Sequence, residues 1–208
     1  FSGGGSSLLA LPISGISLQN LKDITHQLLC CGANIQEINA VRKHLSAIQG
    51  GKLAAACKAP IIALIISDVT GDQPTHIASG PCAPDPTTFS DALAVLDHYS
   101  LNAPPSIQQF LHTGKGHQLA ETPKPGSPIF THVENKIIAS AHQSLAASAN
   151  YFQHHHIATL ILGDTVTGES REIAKSYAAL TKEIRLHPQL LKAPIALLSG
   201  GETTVTVK

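Results

Sequence analysis

The sequence has no methionine, no net charge and no long apolar run, and each absence excludes a class of protein. Without methionine a natural start is missing, so we expect the chain to be a piece of a longer protein. The 14 basic and 14 acidic side chains balance, which argues against a nucleic-acid-binding surface. The longest apolar run, residues 59–66, is as long as a strand and far short of the roughly 18–20 residues of a membrane helix.

Common nucleotide-binding and redox motifs are also missing. Gly51-Lys52 is not a Walker motif because Leu53 follows it and Ser46 stands where the first glycine belongs. No G-x-G-x-x-G dinucleotide fingerprint occurs. The four cysteines, at positions 30, 31, 57 and 82, form no C-x-x-C pair, and we expect buried free thiols in a reducing cytoplasm. The histidine run 154–156 is expected to lie exposed at a helix end.

Apolar runs alternate with amphipathic segments along the chain. The runs predict strands at residues 60–66, 131–140, 157–163, 193–199 and 203–207. Helical patterns lie before and between them, and Ser17 and Asn34 are predicted to cap two of these helices, the second of which extends to Gly50. This alternation predicts an α/β fold with a mainly parallel, Rossmann-like sheet flanked by helices.

Small and acidic residues follow three of the predicted strands. "SDVTGD" follows residue 66, "GDTVTGE" follows residue 162 and "SGGE" follows residue 198, while "SGGGSS" opens the chain as a loop. Because ligands of α/β sheets bind at the carboxyl ends of strands, these four loops are expected to converge on a polar cleft that suits phosphate or Mg²⁺. Asp68 and Asp164 could instead only cap turns, and Arg42 and Lys43 could form a solvated helix face.

Five blocks of the sequence, taken in order, carry a resemblance to a known family. They are "SGGGSSLLALP", "INAVRKHLSAIQGGKLA", "ISDVTGDQPTHIASGPCAPDPTTFSDALAVLD", "ILGDTVTGESREIAK" and "LLSGGETTVTV". Together they resemble the bacterial glycerate 2-kinase family that ends in a MOFRL domain, some members of which carry the label hydroxypyruvate reductase. The resemblance implies phosphorylation of D-glycerate to 2-phosphoglycerate with ATP and Mg²⁺, in a cleft between two α/β domains. It places residues 1–190 in the first domain, without its first segment, and residues 191–208 at the start of the MOFRL domain.

The resemblance also implies roles for particular residues. Lys43, Arg42 and Asp68 are the candidate catalytic residues. Candidate phosphate or substrate contacts are the loop and turn residues Gly3, Gly4, Gly5, Ser6, Ser79, Gly80 and Glu202. Asp72 and Asp164 are candidate Mg²⁺ ligands, and Glu169 shares the loop of Asp164. The sequence leaves open which aspartate accepts the proton of the substrate hydroxyl and which holds Mg²⁺.

Two other functions compete with a kinase. One is an NAD(P)H-dependent hydroxypyruvate reductase, against which the missing dinucleotide fingerprint counts. The other is a non-catalytic remnant or binding module. For the kinase we expect a cytoplasmic protein that binds D-glycerate and ATP, with no nucleic-acid or membrane partner, and the homodimer is the assembly to test.

Overall fold

The computed structural model describes residues 1–69, 71–189 and 191–206. The chain divides into two compact units, Phe1–Ile138 and Ala139–Lys208. In the first unit the elements are α1 (Gly5–Leu8), α2 (Leu18–Cys30), α3 (Ile35–Leu45), α4 (Lys52–Ala56), β1 (Ile61–Ile66), α5 (Phe89–His98), α6 (Pro105–Lys115) and β2 (Val133–Ala139). In the second they are α7 (Ala141–His154), β3 (Ala158–Glu169), α8 (Ser170–Leu186) and β4 (Ile195–Thr204).

The predicted helix starts are confirmed by their caps. The Ser17 hydroxyl accepts from the amide of Asn20 at 3.0 Å, and Asn34 and Glu37 form a reciprocal capping box. The prediction that α3 continues to Gly50 is wrong, because the helix ends at Leu45. Ser46 is extended there and bridges to Pro12, so tertiary pairing overrides the helical pattern.

The core of the first unit forms where α2, α3, α5 and α6 meet. Ile24, Leu28, Leu45, Ile107 and Leu111 are fully buried there. The amphipathic spacing of these helices therefore produces one apolar layer, and a smaller cluster that includes Ile65 and Ile77 lies against β1.

Hydrogen bonding groups the described strands into two pairs, β1 with β2 and β3 with β4. The β3–β4 pair is parallel, with a register that runs from Ala158 opposite Ile195 to Glu169 opposite Thr204. The α/β class with parallel strands between helices is confirmed, whereas the described strands form two sheets rather than one. The compact units divide well before residue 190, and the assignment of 191–208 to a further domain stays a prediction.

Two predicted loops are wrong because the strands continue through them. "GDTVTGE" belongs to β3, and "SGGE" lies within the single strand β4 instead of separating two strands. Gly163, Gly168 and Gly201 take φ values of 115°, 118° and 134°. Gly163 and Gly201 lie at the register shifts of the β3–β4 ladder, whereas Gly168 pairs regularly with Thr203, and the parallel pairing continues without a turn. Residue 207, the end of the predicted last strand, lies outside the described residues.

Three smaller predictions concern the opening segment, the cysteines and the histidine run. The opening "SGGGSS" is not wholly a loop, because α1 begins at Gly5. All four cysteines are free, but only Cys82 is buried and Cys30 and Cys57 are exposed. Residues 154–156 are exposed at the end of α7, as predicted.

No helix within the described residues has the length and apolarity to cross a bilayer.

Candidate functional site

Two of the three opening glycines, Gly3 and Gly5, leave no room for a side chain. A Cβ atom built on Gly5 would lie 2.6 Å from the Cβ atom of Ala78, and one built on Gly3 would overlap the Asp68 carboxylate. Glycine therefore lets the backbone of the first turn approach both the loop after β1 and the short 3₁₀ turn Ile77–Ser79. Gly4, with a φ of 77°, has open space around it.

The 3₁₀ turn holds left-handed backbone at non-glycine residues. Ala78 and Ser79 have φ values of 51° and 57°, and Gly80 follows with 61°. Such backbone costs about 1–2 kcal/mol per non-glycine residue, so neighbouring contacts must hold it. The amide of Gly50 donates to the carbonyl of Ser79 at 2.9 Å, and the amide of Gly51 donates to the carbonyl of Gly80 at 2.7 Å.

A chain of side-chain hydrogen bonds joins this turn to α1 and α3. The Ser79 hydroxyl donates to Oδ1 of Asn39 at 2.8 Å and also lies 2.8 Å from the Ser6 hydroxyl. Asn39 and Ser79 are fully buried, whereas Ser6 is half-buried. Ser79 therefore lies behind Ser6, and its predicted contact with a ligand would act through Ser6.

Arg42 brings a half-buried cation to the glycine turn. Its Nη2 donates to the carbonyl of Ser6, which also accepts from Nε2 of the buried Gln49 at 2.9 Å. Among the described residues, Arg42 has no acidic partner, and its buried Nε has no hydrogen-bond acceptor. Burial lowers the pKa of Arg42 from its ordinary value. A cation of this kind can bind an anionic ligand by donating hydrogen bonds to it.

Lys43 lies in the interior of the protein. Its side chain is 1% exposed, and its Nζ lies 2.8 Å from the Thr75 hydroxyl and 3.4 Å from Oδ1 of Asp85. Burial lowers the pKa of Lys43, while Asp85 opposes that shift. Burial alone would raise the pKa of Asp85, but the charge of Lys43 and hydrogen bonds from Thr87 outweigh it and the pKa is lowered. The alternative of a solvated helix face is therefore wrong for Lys43, and the half-buried Arg42 does not fit it either.

Lys52 supports the end of the helix that carries both cations. Its Nζ donates to the carbonyls of Lys43, His44 and Ser46 at 2.9, 3.3 and 2.5 Å. The last carbonyls of a helix lack partners within the helix, so this ammonium group satisfies the end of α3. Burial lowers the pKa of Lys52 to about 8.

The structure brings together only part of the predicted site. Gly3, Gly5, Ser6, Ser79 and Arg42 form one cluster with the exposed Asp68 beside it. Gly80 is buried, its amide donates to the carbonyl of Ile77, and its carbonyl accepts from the amide of Gly51. Asp72 is half-buried, with a left-handed φ of 51°.

The other predicted residues lie in the second unit. Asp164 is half-buried on β3, and Glu202 is exposed on β4 opposite Thr167. Glu169 accepts hydrogen bonds from the amide and hydroxyl of Thr206 at 3.1 and 3.0 Å. They are strand residues rather than loop residues, and their roles as metal or substrate ligands stay predictions.

Sequence reasoning missed Asn39, Gln49, Lys52 and Asp85. Asp85 stands between two prolines in the third resembling block, and Asn39 lies inside the second, so both were within quoted segments. A buried hydrogen-bond partner leaves no periodic signal, which is why the pattern did not separate them from neighbouring polar residues.

The described residues contain no cluster of three or more His, Cys, Asp or Glu side chains placed to hold a metal ion. Mg²⁺ in kinase sites usually takes one or two protein carboxylates, with water and phosphate oxygens as its other ligands. Asp72, which lies half-buried in the loop after β1, can supply one such carboxylate, and its role as a Mg²⁺ ligand stays a prediction.

Known proteins are similar to this chain in sequence over nearly its whole length, and a solved structure is similar to it in fold. The crystal structure of glycerate kinase from Thermotoga maritima matches with a TM-score of 0.84 and 39% identity, covering 100% of this chain and 48% of that one. The glycerate 2-kinase of Pyrococcus horikoshii is 42% identical, over 100% of this chain and 47% of its own length. An Agrobacterium vitis protein with the provisional name hydroxypyruvate reductase is also 42% identical, over 99% of this chain and 45% of its own length.

The fold is thus that of proteins named glycerate kinase, and the chain spans about half the length of the curated relatives it matches. Residues 1–112, just over half of the 208, match the domain of unknown function DUF4147. The chain belongs to the DUF4147 family.

Proposed function

We propose that the full-length protein carrying this chain is a glycerate 2-kinase, which transfers a phosphoryl group from ATP to D-glycerate. The observation that carries the proposal is Arg42, a half-buried cation against the glycine turn whose Nε has no acceptor among the described residues. D-Glycerate has a carboxylate and ATP has phosphates, so the substrates supply the anion that this position lacks. The kinase names of relatives similar over the whole chain support the same reading.

Each residue of the cluster has a part in this proposal. The Arg42 guanidinium holds an anionic group of the substrate, while the buried Lys43 adds a second positive charge from the same helix turn. The glycines at 3–5 keep the backbone close enough to shape the turn around a ligand. Mg²⁺, when bound, would neutralise phosphate charge, and Asp72, in the loop after β1, is the candidate carboxylate of the first unit that would hold it.

The reaction needs one proton acceptor. The substrate hydroxyl oxygen forms a bond to phosphorus, the bond from that phosphorus to ADP breaks, and the hydroxyl proton leaves. We assign the proton to the Asp68 carboxylate, which is exposed and lies against Gly3. Asp164 and Glu202 remain candidates for further metal or substrate contacts. The MOFRL assignment of 191–208, the cytoplasmic location and the homodimer stay proposals too.

One assay separates the two enzyme functions. The full-length protein is incubated with D-glycerate, ATP and Mg²⁺, and in parallel with hydroxypyruvate and NADH. We expect ADP and 2-phosphoglycerate in the first mixture and no NADH oxidation in the second. NADH oxidation without phosphoglycerate would replace the kinase with the reductase, and no turnover in either would favour a binding module.

Arg42→Gln tests the observation that carries the proposal. Loss of a preorganised contact to transferring charge lowers kcat by about 10²-fold or more, and Arg42→Gln should show a loss of that order. The matched control is Arg171→Gln, because Arg171 is exposed on α8. Equal turnover in both variants would remove Arg42 from the site.

A further inference from the structure

Asn39, Ser79 and Ser6 form a chain of hydrogen bonds behind the glycine turn. The number of protons in this chain decides whether the Ser6 hydroxyl is a donor or an acceptor toward a ligand. Asn39 is 1% exposed and Ser79 is 0% exposed, while Ser6 at the other end is half-buried. Only Ser6 can therefore meet a ligand without a change of conformation.

Each serine hydroxyl has one proton to donate. In the structure Oδ1 of Asn39 faces Ser79 and has no proton, so this 2.8 Å contact takes the Ser79 proton and leaves the buried Nδ2 of Asn39 without a partner among the described residues. The 2.8 Å contact between Ser79 and Ser6 then requires the Ser6 proton. With its proton directed inward, the Ser6 oxygen presents only lone pairs to a ligand.

We propose that Asn39, acting through Ser79, is a positioning residue that makes Ser6 Oγ a hydrogen-bond acceptor for a hydroxyl group of the substrate. The proposal rests on the proposed function, because D-glycerate carries the hydroxyl groups concerned. A phosphate oxygen that carries no proton would be repelled by these lone pairs. The expected partner of Ser6 thus changes from a phosphate to a hydroxyl.

The backbone around Ser6 keeps the hydroxyl at this place. The Ser6 carbonyl accepts from both Arg42 and Gln49, so rotation of the turn would break two further bonds. On the other side, Gly5 packs against Ala78 without room for a Cβ atom. Ser6 Oγ and the Arg42 guanidinium are therefore held on the same turn, one as an acceptor and the other as a donor. That pair matches a hydroxy acid, which has a hydroxyl beside a carboxylate.

The test compares variants of Asn39 and Ser79 in the full-length protein. Asn39→Leu removes the acceptor, and Ser79→Ala removes the hydroxyl that joins Asn39 to Ser6. Each variant should raise KM for D-glycerate about threefold to tenfold, as expected for one neutral hydrogen bond. KM for ATP should stay unchanged. Asn39→Asp keeps an acceptor at this position and should leave KM for D-glycerate at the parent value.

The matched control uses another Asn–Ser pair of the first unit. Nδ2 of Asn20 donates to the Ser106 hydroxyl at 2.8 Å, away from the cluster, so Asn20→Leu should leave both KM values unchanged. Thermal unfolding of every variant checks the fold. KM for D-glycerate within twofold of the parent in both Asn39→Leu and Ser79→Ala would overturn the proposal.

Asn39→Asp also tests the orientation of the amide. If Nδ2 rather than Oδ1 faced Ser79, aspartate would not keep KM at the parent value, and Ser6 would be a donor, which overturns the acceptor assignment. If the parent itself does not phosphorylate D-glycerate, the proposed function fails independently. Amide hydrogen exchange across residues 5–9 then still tests the positioning role, because exchange should be faster in Ser79→Ala than in Asn20→Leu. Equal exchange rates would refute it.

Discussion

The two compact units differ in how many polar side chains they bury. Of the buried polar residues described, nine lie in the first unit and only Ser140, which caps α7, lies in the second. Buried apolar side chains are also concentrated in the first unit, whereas Ala149 and Ile184 are the described examples in the second. Buried polar groups are destabilising unless they are hydrogen-bonded or paired, so the first unit needs buried hydrogen bonds that a wholly apolar core does not need. The buried polar side chains around the candidate cations Arg42 and Lys43 thus belong to the first unit.

The largest effect on stability is expected when one charge of the buried pair Lys43 and Asp85 is removed. Asp85→Asn leaves Lys43 charged in the interior, and we expect a loss of about 3–5 kcal/mol in the free energy of unfolding. Lys43→Met combined with Asp85→Asn removes both charges and should recover much of that loss. Urea unfolding of the full-length protein measures both effects.

The same double variant separates a structural role of Lys43 from a functional one. If Lys43 supplies charge to the transferred group, the folded double variant should lose about 10²-fold or more in kcat. Turnover within threefold of the parent, with recovered stability, would make Lys43 a purely structural partner of Asp85. Arg42 would then be the remaining candidate cation in its block.

A matched pair of leucines tests whether the apolar cores differ as well. Leu111 is fully buried on α6, and Leu180 is half-buried on α8. Leu111→Ala should lower the free energy of unfolding by about 2–5 kcal/mol. Leu180→Ala removes less buried surface and should lower it by about 1 kcal/mol. Equal losses in chemical unfolding would show that the units are packed alike.

The pH dependence of stability tests Lys52 against an exposed lysine of the second unit. The pKa of Lys52 is about 8 in the folded protein and 10.5 when unperturbed, so the unfolded chain binds more protons between these values. Stability contributed by this group therefore rises as pH increases from about 8 to 10.5, by about 1–3 kcal/mol. Lys52→Met should remove that rise, and Lys182→Met should retain it. A rise that persists in Lys52→Met would assign the effect to another group.

The smallest effect is expected at the exposed ion pair of α8. Lys175 and Glu172 lie 2.8 Å apart with more than half of each side chain exposed. Glu172→Gln should change the free energy of unfolding by less than about 0.5 kcal/mol, because solvent screens such pairs. A loss above 1 kcal/mol in thermal unfolding would mean that surface charge stabilises the second unit far more than its exposure implies.

The sequence predicted those features that depend on neighbours along the chain. The caps at Ser17 and Asn34 are local, since each accepts from an amide three residues on, and both are confirmed. The glycines of "GDTVTGE" suggested a turn, but pairing with β4 decides the structure there, and that partner is distant in sequence. The burial of Lys43 depends on Asp85, 42 residues away, and no local pattern reports such a partner. Arg42 and the glycines lie together in the structure, and the resembling blocks contained them all, but their contacts could not be predicted from the sequence and their roles stay predictions.

The left-handed residues Ala78 and Ser79 also affect when conformational entropy is lost. Glycine would adopt this backbone without strain, but it would sample many other conformations as well. Alanine and serine have fewer alternatives, and the contacts with Gly5, Gly50 and Asn39 hold them in one. The turn is therefore ordered during folding rather than during ligand binding, so a ligand that meets Ser6 encounters a surface with little freedom left to lose.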